Sequence, residues 1–161
     1  MKLYIGIDNG LDGGIVILNE KEEIVESIVM PTFKDKGKRT YDIYKLAEFF
    51  STIDADIDDV RVALEQAHTR PVSGKRANFM TGYGYGVIQG ILESFSIPYE
   101  IVSPQAWCKE LNLSNKEKKG SVAFCQRYFP KVNFKVGKSK KSHDGLTDAT
   151  CLALYIKRRV R

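Results

Sequence analysis

Two apolar runs in this chain each end in a carboxylate, and this pattern constrains the fold more than any other. The first run covers residues 2–8 and ends at Asp8, and the second covers residues 60–66 and carries Glu65 near its end. Runs of this length and composition predict strands that are buried on both faces. If a strand–helix–strand crossover makes these strands parallel neighbours, the two acids lie side by side.

Asp8 has two interpretations on its own stretch of sequence. Aspartate is common at turns, so its side chain could simply cap the turn at Asn9 and Gly10. Alternatively, it belongs to a functional site, because an unpaired carboxylate on a buried strand costs several kcal/mol or shifts its pKa. The partners that the rest of the chain provides must decide between these interpretations.

The remaining pattern predicts a single domain that spans residues 1–161. Strands at 13–18 and 24–30 extend the first strand into an antiparallel meander, residues 33–39 form a mobile loop, and a short strand covers 98–102. Three helices are expected to begin after N-caps at Thr40, Ser103 and Ser114, and a longer one covers 77–95. A basic loop at 130–142 leads to a last helix that runs from about His143 to the basic residues 157–159.

The predicted helix over 77–95 carries Gly82, Gly86 and Gly90 at intervals of four, which leaves one of its sides without side chains. Each interior glycine costs about 1 kcal/mol relative to alanine. We therefore expect this face to pack closely against the sheet or another helix.

Composition narrows the classes of function. The chain has 161 residues, of which 43% are hydrophobic, and no apolar run reaches the roughly 18 residues of a membrane span, so we expect a soluble, cytoplasmic protein. Cys108, Cys125 and Cys151 are widely spaced and form no C-x-x-C pair, which argues against a disulfide framework or a zinc site. Reduced thiols are expected instead, with Cys125 and Cys151 packed on helix faces.

Positive charge is concentrated in one segment. The formal net charge is +5, and residues 109–141 contain ten basic residues against two acidic ones. Such a segment suits a polyanion such as nucleic acid, although a solvated helix face with a lysine-rich loop explains the same pattern. The candidate DNA-binding residues in this segment are Lys116, Lys118, Lys119, Lys138, Lys140 and Lys141, and Lys75 and Arg76, before the predicted helix over 77–95, are two further candidates.

The closing helix adds two more acids. Asp144 and Asp148 are four residues apart, so both lie on one face of the helix. Asp144 could simply cap the helix, whereas Asp148 lies in an apolar stripe where a charge needs a partner or a metal. Together with Asp8 and Glu65 they form a set of hard oxygen donors that favours Mg²⁺ or Mn²⁺, and two such ions can support phosphodiester hydrolysis.

These motifs, in order, resemble the RuvC family of Holliday junction resolvases, most closely its small phage-type members. The resemblance covers nearly the whole chain. The motifs that carry it are residues 6–10, residues 63–66, the glycines at 82, 86 and 90, residues 102–104 followed by Trp107, and residues 143–145 leading to Asp148 and Ala149.

The resemblance implies an α/β, ribonuclease H-like fold with a mixed five-stranded sheet flanked by α-helices. It also implies a homodimer that nicks four-way DNA junctions in pairs with two Mg²⁺ ions, for which Mn²⁺ can substitute, in the cytoplasm of a bacterial host if the chain is phage-encoded. Asp8 would bridge both ions, Glu65 and Asp148 would each hold one, and Asp144 would complete the catalytic and metal-binding set. The glycine face then becomes a candidate dimer interface, and residues 109–141 a candidate phosphate track.

Two departures from the family pattern leave alternatives open. The last two acids are four residues apart rather than the three that is usual in bacterial members, so His143 could replace Asp144 by contacting a metal or orienting the water. A helix-start hydrogen bond explains His143 equally simply. The family also places an aromatic residue after the glutamate to stack on a junction base, and here His68 and, farther on, Phe79 are the alternatives.

Other functions remain as rivals. A phosphotransferase of the actin and sugar-kinase type also opens with a glycine-flanked acid, but it needs two copies of the fold, and one copy takes up this whole chain. A branched-DNA-binding protein without catalysis and a nuclease that prefers flaps or forks remain as alternatives.

Overall fold

The computed structural model describes residues 1–69, 71–113 and 120–160. Its centre is a five-stranded mixed sheet with strand order β3-β2-β1-β6-β7. The strands are β1 (Leu3–Asp8), β2 (Gly14–Leu18), β3 (Ile24–Val29), β6 (Val60–Glu65) and β7 (Tyr99–Val102). The β1–β2 and β2–β3 pairs are antiparallel, whereas β6 pairs in parallel with both β1 and β7. The predicted meander, the parallel β1–β6 pair and the mixed five-stranded sheet are confirmed.

Helices cover both faces of this sheet. They are α1 (Ile43–Ser51), α2 (Lys75–Ser94), α3 (Pro104–Glu110), α4 (Gly120–Tyr128) and α5 (Asp144–Arg159), with a 3₁₀ turn at Ile57–Asp59 before β6. One core cluster joins the sheet to α1 and α2, and the other joins it to α3, α4 and α5. Because side chains alternate along a strand, Ile5 and Ile7 enter the first cluster, and Asp8 projects toward the α5 face.

Gly6 allows α5 to cross β1 at close range. A Cβ atom at Gly6 would overlap the backbone of Ala149 and Ala153, so only glycine permits this approach. The same approach brings the first turns of α5 to the end of β1.

Residues 33–39 are not the predicted mobile loop. A two-stranded hairpin lies there, formed by β4 (Thr32–Asp35) and β5 (Lys38–Tyr41). Its two-residue turn places Lys36 at φ 47° and Gly37 at φ 76°, which is the backbone of a type I′ turn. The prediction was wrong because polar residues on both faces conceal the strand alternation. The helix that follows is capped by Asp42 rather than Thr40, through a hydrogen bond from the backbone N of Lys45.

No described residue packs against the glycine face of α2. A Cβ atom added at Gly82, Gly86 or Gly90 would meet nothing within 4 Å, so the expected internal packing is wrong. A different glycine, Gly84, is buried, and a Cβ atom there would overlap the ring of Tyr41.

The caps, the cysteines and the apolar runs complete the comparison with the sequence. Ser103 caps α3 as expected, whereas the predicted cap at Ser114 lies outside the described residues. Cys125 and Cys151 are buried free thiols whose sulfur atoms lie 3.9 Å apart, which confirms helix-face packing. Among the described residues, no helix combines the length and apolar character that a membrane crossing requires.

Candidate active site

Asp8 and Glu65 stand next to each other at one edge of the sheet. Their strands are parallel neighbours. Ile7 lies opposite Leu64, and Asp8 and Glu65 are the residues that come directly after these two. The Asn9 side chain joins the two strand ends by donating through Nδ2 to the Glu65 carbonyl oxygen at 2.6 Å. Asp8 and Glu65 both line a cleft of about 290 Å³ at this edge, which His68 and Asn78 also line.

Asp8 shows the turn contact that its sequence suggested, and it also faces other charges. Its Oδ1 accepts a hydrogen bond from the backbone N of Gly10 at 3.0 Å. Burial raises the pKa of Asp8, the Gly10 hydrogen bond and nearby His143 lower it, and Asp12 raises it. The turn-capping interpretation is therefore confirmed, and the same carboxyl group sits where its ionised form is disfavoured.

Asp148 approaches the same point from α5. The pKa of Asp148 is raised to about 6: burial is the largest cause, the charges of Asp8 and Asp144 also raise it, and a hydrogen bond from Ser121 lowers it. An acid whose pKa is raised by the charges of other acids lies near them in a medium that screens charge poorly. A divalent cation among them would relieve both the repulsion and the cost of burial.

Glu65 is oriented by the single tryptophan of the chain. Buried Trp107 on α3 donates through Nε1 to Glu65 Oε1 at 3.1 Å. The charges of Asp148 and Glu65 both raise the pKa of the Cys108 thiol, after burial, which is the largest cause. Asp148 and Glu65 therefore flank the same small region between β6, α3 and α5.

Asp144 and His143 lie at the outer side of the site. His143, rather than Asp144, is the N-cap of α5, because its Nδ1 accepts from the backbone N of Leu146 at 3.3 Å. The helix-start interpretation of His143 is thereby confirmed. Asp144 is exposed at the rim, where it lines a cleft of about 850 Å³ together with His143, Lys140 and Lys141.

The donor chemistry at this edge fits a hard divalent cation. All four predicted ligands are carboxylates, and a bound cation would offset the charges of Asp8 and Asp144 that raise the pKa of Asp148. In residues 1–69, 71–113 and 120–160, no three Asp, Glu, His or Cys side chains are grouped closely enough to hold one ion as they stand. A ligand shell around one ion would therefore require these side chains to move toward each other.

The β4–β5 hairpin holds the turn that carries Asp8. Tyr41 is buried and donates its hydroxyl to the Asn9 carbonyl oxygen at 2.8 Å. Arg39 donates to the Leu11 carbonyl oxygen at 2.6 Å and forms an ion pair with Asp12. Tyr41, Asn9 and the backbone of Glu65 thus form a continuous chain of contacts from the hairpin to both strand ends.

The predicted DNA-binding residues fall into two groups on either side of the acids. Lys75 and Arg76 open α2, and Arg76 lines a cleft beside the hairpin. Lys138, Lys140 and Lys141 lie on the exposed loop before α5, and the last two line the cleft that contains Asp144. The remaining three predicted residues, Lys116, Lys118 and Lys119, lie outside the described residues.

Several residues at the site had no role in the sequence-based prediction. They are Asn9, Tyr41, Trp107 and Ser121. Asn9 and Trp107 belong to motifs that the sequence singled out, but their hydrogen bonds become visible only when strands and helices meet. His68 and Phe79 are both exposed, so the structure leaves the base-stacking role open between them.

Comparison with solved structures identifies the fold. The chain superposes on T. thermophilus RuvC in complex with a Holliday junction substrate with a TM-score of 0.68 and 12% sequence identity, covering 96% of this chain and 92% of that one. It superposes on another Thermus thermophilus RuvC structure with a TM-score of 0.65 and 13% identity, covering 95% and 91% of the two chains. Comparisons with protein-family models and with curated proteins find no match.

Proposed function

Since the chain has the ribonuclease H-like fold of RuvC, we propose that it is a Mg²⁺-dependent, structure-specific endodeoxyribonuclease. Its substrate would be a four-way DNA junction, which it would resolve by paired nicks. The observation that supports the proposal is the position of Asp8 and Glu65 at the ends of two parallel neighbouring strands, with the pKa of Asp148 on α5 raised by the charge of Asp8. A neighbour that shares the fold was solved with a Holliday junction substrate.

The site residues would divide into metal ligands and residues that position them. Asp8, Glu65, Asp144 and Asp148 would hold Mg²⁺, or Mn²⁺ in its place, and His143 would remain the cap of α5. When bound, the two ions would activate water and stabilise the leaving oxygen of the phosphodiester. Trp107 would keep Glu65 pointed into the site, since it donates directly to that carboxylate.

We also propose how the chain binds DNA, that it forms a homodimer, and where it acts. Lys75, Arg76, Lys138, Lys140 and Lys141 would bind phosphates on the two sides of the acids, joined by Lys116, Lys118 and Lys119. A homodimer would place two sites on one junction, as paired nicking requires, and its location would be the cytoplasm. The open glycine face of α2 is the candidate contact, because Gly82, Gly86 and Gly90 leave it free of side chains.

Cleavage of a synthetic four-way junction tests the nuclease. We expect wild type to nick it in Mg²⁺ and Asp8→Asn to bind it normally while cutting at least about 100-fold more slowly, a typical loss for removing one group that stabilises the transition state. Gel analysis of end-labelled strands gives the rate, and a gel shift gives binding. If wild type cuts no branched DNA in Mg²⁺ or Mn²⁺, the nuclease proposal fails and a non-catalytic binding protein remains. Faster cutting of flaps or forks would replace the junction as the substrate.

Sedimentation equilibrium tests the homodimer. If two chains meet through the glycine face, Gly86→Arg should prevent association, because an arginine side chain would fill the space that close approach needs. Lys21→Arg, at an exposed turn at the other end of the sheet, is the control. A wild-type chain that remains monomeric at the concentrations used for cleavage would contradict the dimer.

A further inference from the structure

The β4–β5 hairpin and the first half of α2 enclose a basic groove. It consists of two adjoining clefts of about 560 Å³ and 340 Å³, which share Lys38, Arg76 and Met80. Arg39 lines the larger cleft and Lys36 lines the smaller one. Four cationic side chains therefore border one groove, whereas Asp35 is the acidic residue that lines it among the described residues.

The four cations of this groove do not have the same role. Arg39 is engaged inside the chain, where it contacts Asp12, the Leu11 carbonyl oxygen and Thr32. Lys36 and Lys38 are exposed near the turn of the hairpin, and no acid in the described part of the chain forms an ion pair with either of them. These two lysines are therefore available to an external anion.

The groove is continuous with the candidate active site. Gly10 and Thr81 line both the larger cleft and the cleft that holds Asp8 and Glu65. A nucleic-acid strand that runs from Asp8 and Glu65 past Gly10 would therefore enter the groove directly. The loop with Lys138, Lys140 and Lys141 lies at a different cleft, beside Asp144.

We propose that this groove binds a single strand of nucleic acid through its phosphates, with Lys36, Lys38 and Arg76 as the contacts. Clefts of roughly 300–1,000 Å³ hold molecules of drug size, and the two volumes of this groove match a short stretch of one strand. The hairpin would thus bind DNA through the lysines near its own turn. Its Arg39 and Tyr41 contact the turn after Asp8 and hold it in place. The inference rests on the proposed function only for the source of the strand, which would be the one that leaves the scissile phosphate.

Fluorescence anisotropy with a labelled single-stranded oligonucleotide tests the groove. For the double variant Lys36→Gln/Lys38→Gln we expect weaker binding and a salt slope that is smaller by about 1.4, because each phosphate contact on a single strand contributes about 0.7. Arg76→Gln, on the opposite wall, should reduce the slope by about half as much. The matched control is Lys2→Gln/Lys21→Gln, which removes two exposed lysines at the other end of the sheet.

Two results besides unchanged single-strand binding would overturn the inference. One is a control variant that loses as much single-strand affinity as the groove variant. The other is an equal loss of affinity for a blunt duplex, which would indicate a general charge effect. Binding is measured without metal or cleavage, so a wild-type chain that cuts no junction refutes the nuclease and leaves this result standing. Conversely, junction cleavage combined with unchanged single-strand binding in the groove variant refutes the groove alone.

Discussion

The acids of the candidate site and the basic residues beside it differ in their exposure to solvent. Asp8 and Asp148 lie where burial raises their pKa values, whereas Lys36, Lys38, Lys140 and Lys141 are exposed. Solvated charges cost the fold little, whereas the partly buried Asp148 is destabilised by burial and by the charge of Asp8. Under the proposed function, a bound cation would offset the cost at the acids, and the exposed basic residues would bind the phosphates of DNA.

The largest expected effect on stability is at Asp148 and depends on pH. Its pKa is about 6, against an ordinary value of 3.8. An acid whose folded-state pKa is raised stabilises the fold fully below the ordinary pKa, and this stability is lost as pH rises through 6. Without metal, Asp148→Asn should therefore gain about 3 kcal/mol relative to wild type between pH 3.8 and pH 7.

Denaturant unfolding at several pH values measures this difference. Asp144→Asn, on the same helix but exposed, is the matched control and should change stability by less than about 0.5 kcal/mol. Adding Mg²⁺ at pH 7 should stabilise wild type more than Asp148→Asn. A stability difference between Asp148→Asn and wild type that does not vary with pH would show that this carboxyl group is not destabilised in the folded chain.

Gly84 tests the buried contact between α2 and the hairpin. A Cβ atom there would overlap the Tyr41 ring, so Gly84→Ala should lower stability by about 1–3 kcal/mol, as overpacking of a core does. In a double-mutant cycle, the loss should be smaller when Tyr41→Leu is already present. Equal losses in the two backgrounds would mean that the ring is not the obstacle.

Tyr41→Phe removes one hydroxyl from the hairpin's buried end. The loss of the hydrogen bond to Asn9 should cost about 1 kcal/mol in unfolding free energy. If this contact positions Asp8, the turnover rate should fall while junction affinity stays unchanged, and Mn²⁺ should bind more weakly in calorimetry. Tyr44→Phe, which is exposed on α1, is the control. Unchanged turnover and Mn²⁺ affinity in Tyr41→Phe would limit the hydroxyl to a structural role.

The smallest change in stability is expected at the exposed basic loop. Lys140→Gln/Lys141→Gln should alter the unfolding free energy by less than about 0.5 kcal/mol. Its junction affinity should nevertheless fall, with a salt slope smaller by roughly 1.8 if each lysine binds one phosphate of duplex DNA. Thermal unfolding and gel shifts at two salt concentrations measure both. A large stability loss would contradict the comparison between buried acids and solvated bases.

The sequence by itself determined the sheet and the location of the acids. Apolar runs that end in Asp8 and Glu65 predict buried strands, and a crossover makes them parallel, so their neighbourhood follows from hydrophobic pattern and connectivity. The position of Asp148 in an apolar stripe likewise identified a charge that needs a partner. These features are readable because strand and helix periods are local properties of the chain.

Tertiary structure decided the contacts that hold these acids in place. The hairpin at 32–41 was hidden because its strands carry polar residues on both faces, and only its position beside the Asp8 turn makes Tyr41 and Arg39 significant. The glycine spacing on α2 predicted internal packing, but the buried glycine is Gly84, which faces Tyr41. Both depend on which surfaces meet after folding, and a hydrogen bond between residues 32 positions apart has no local signal.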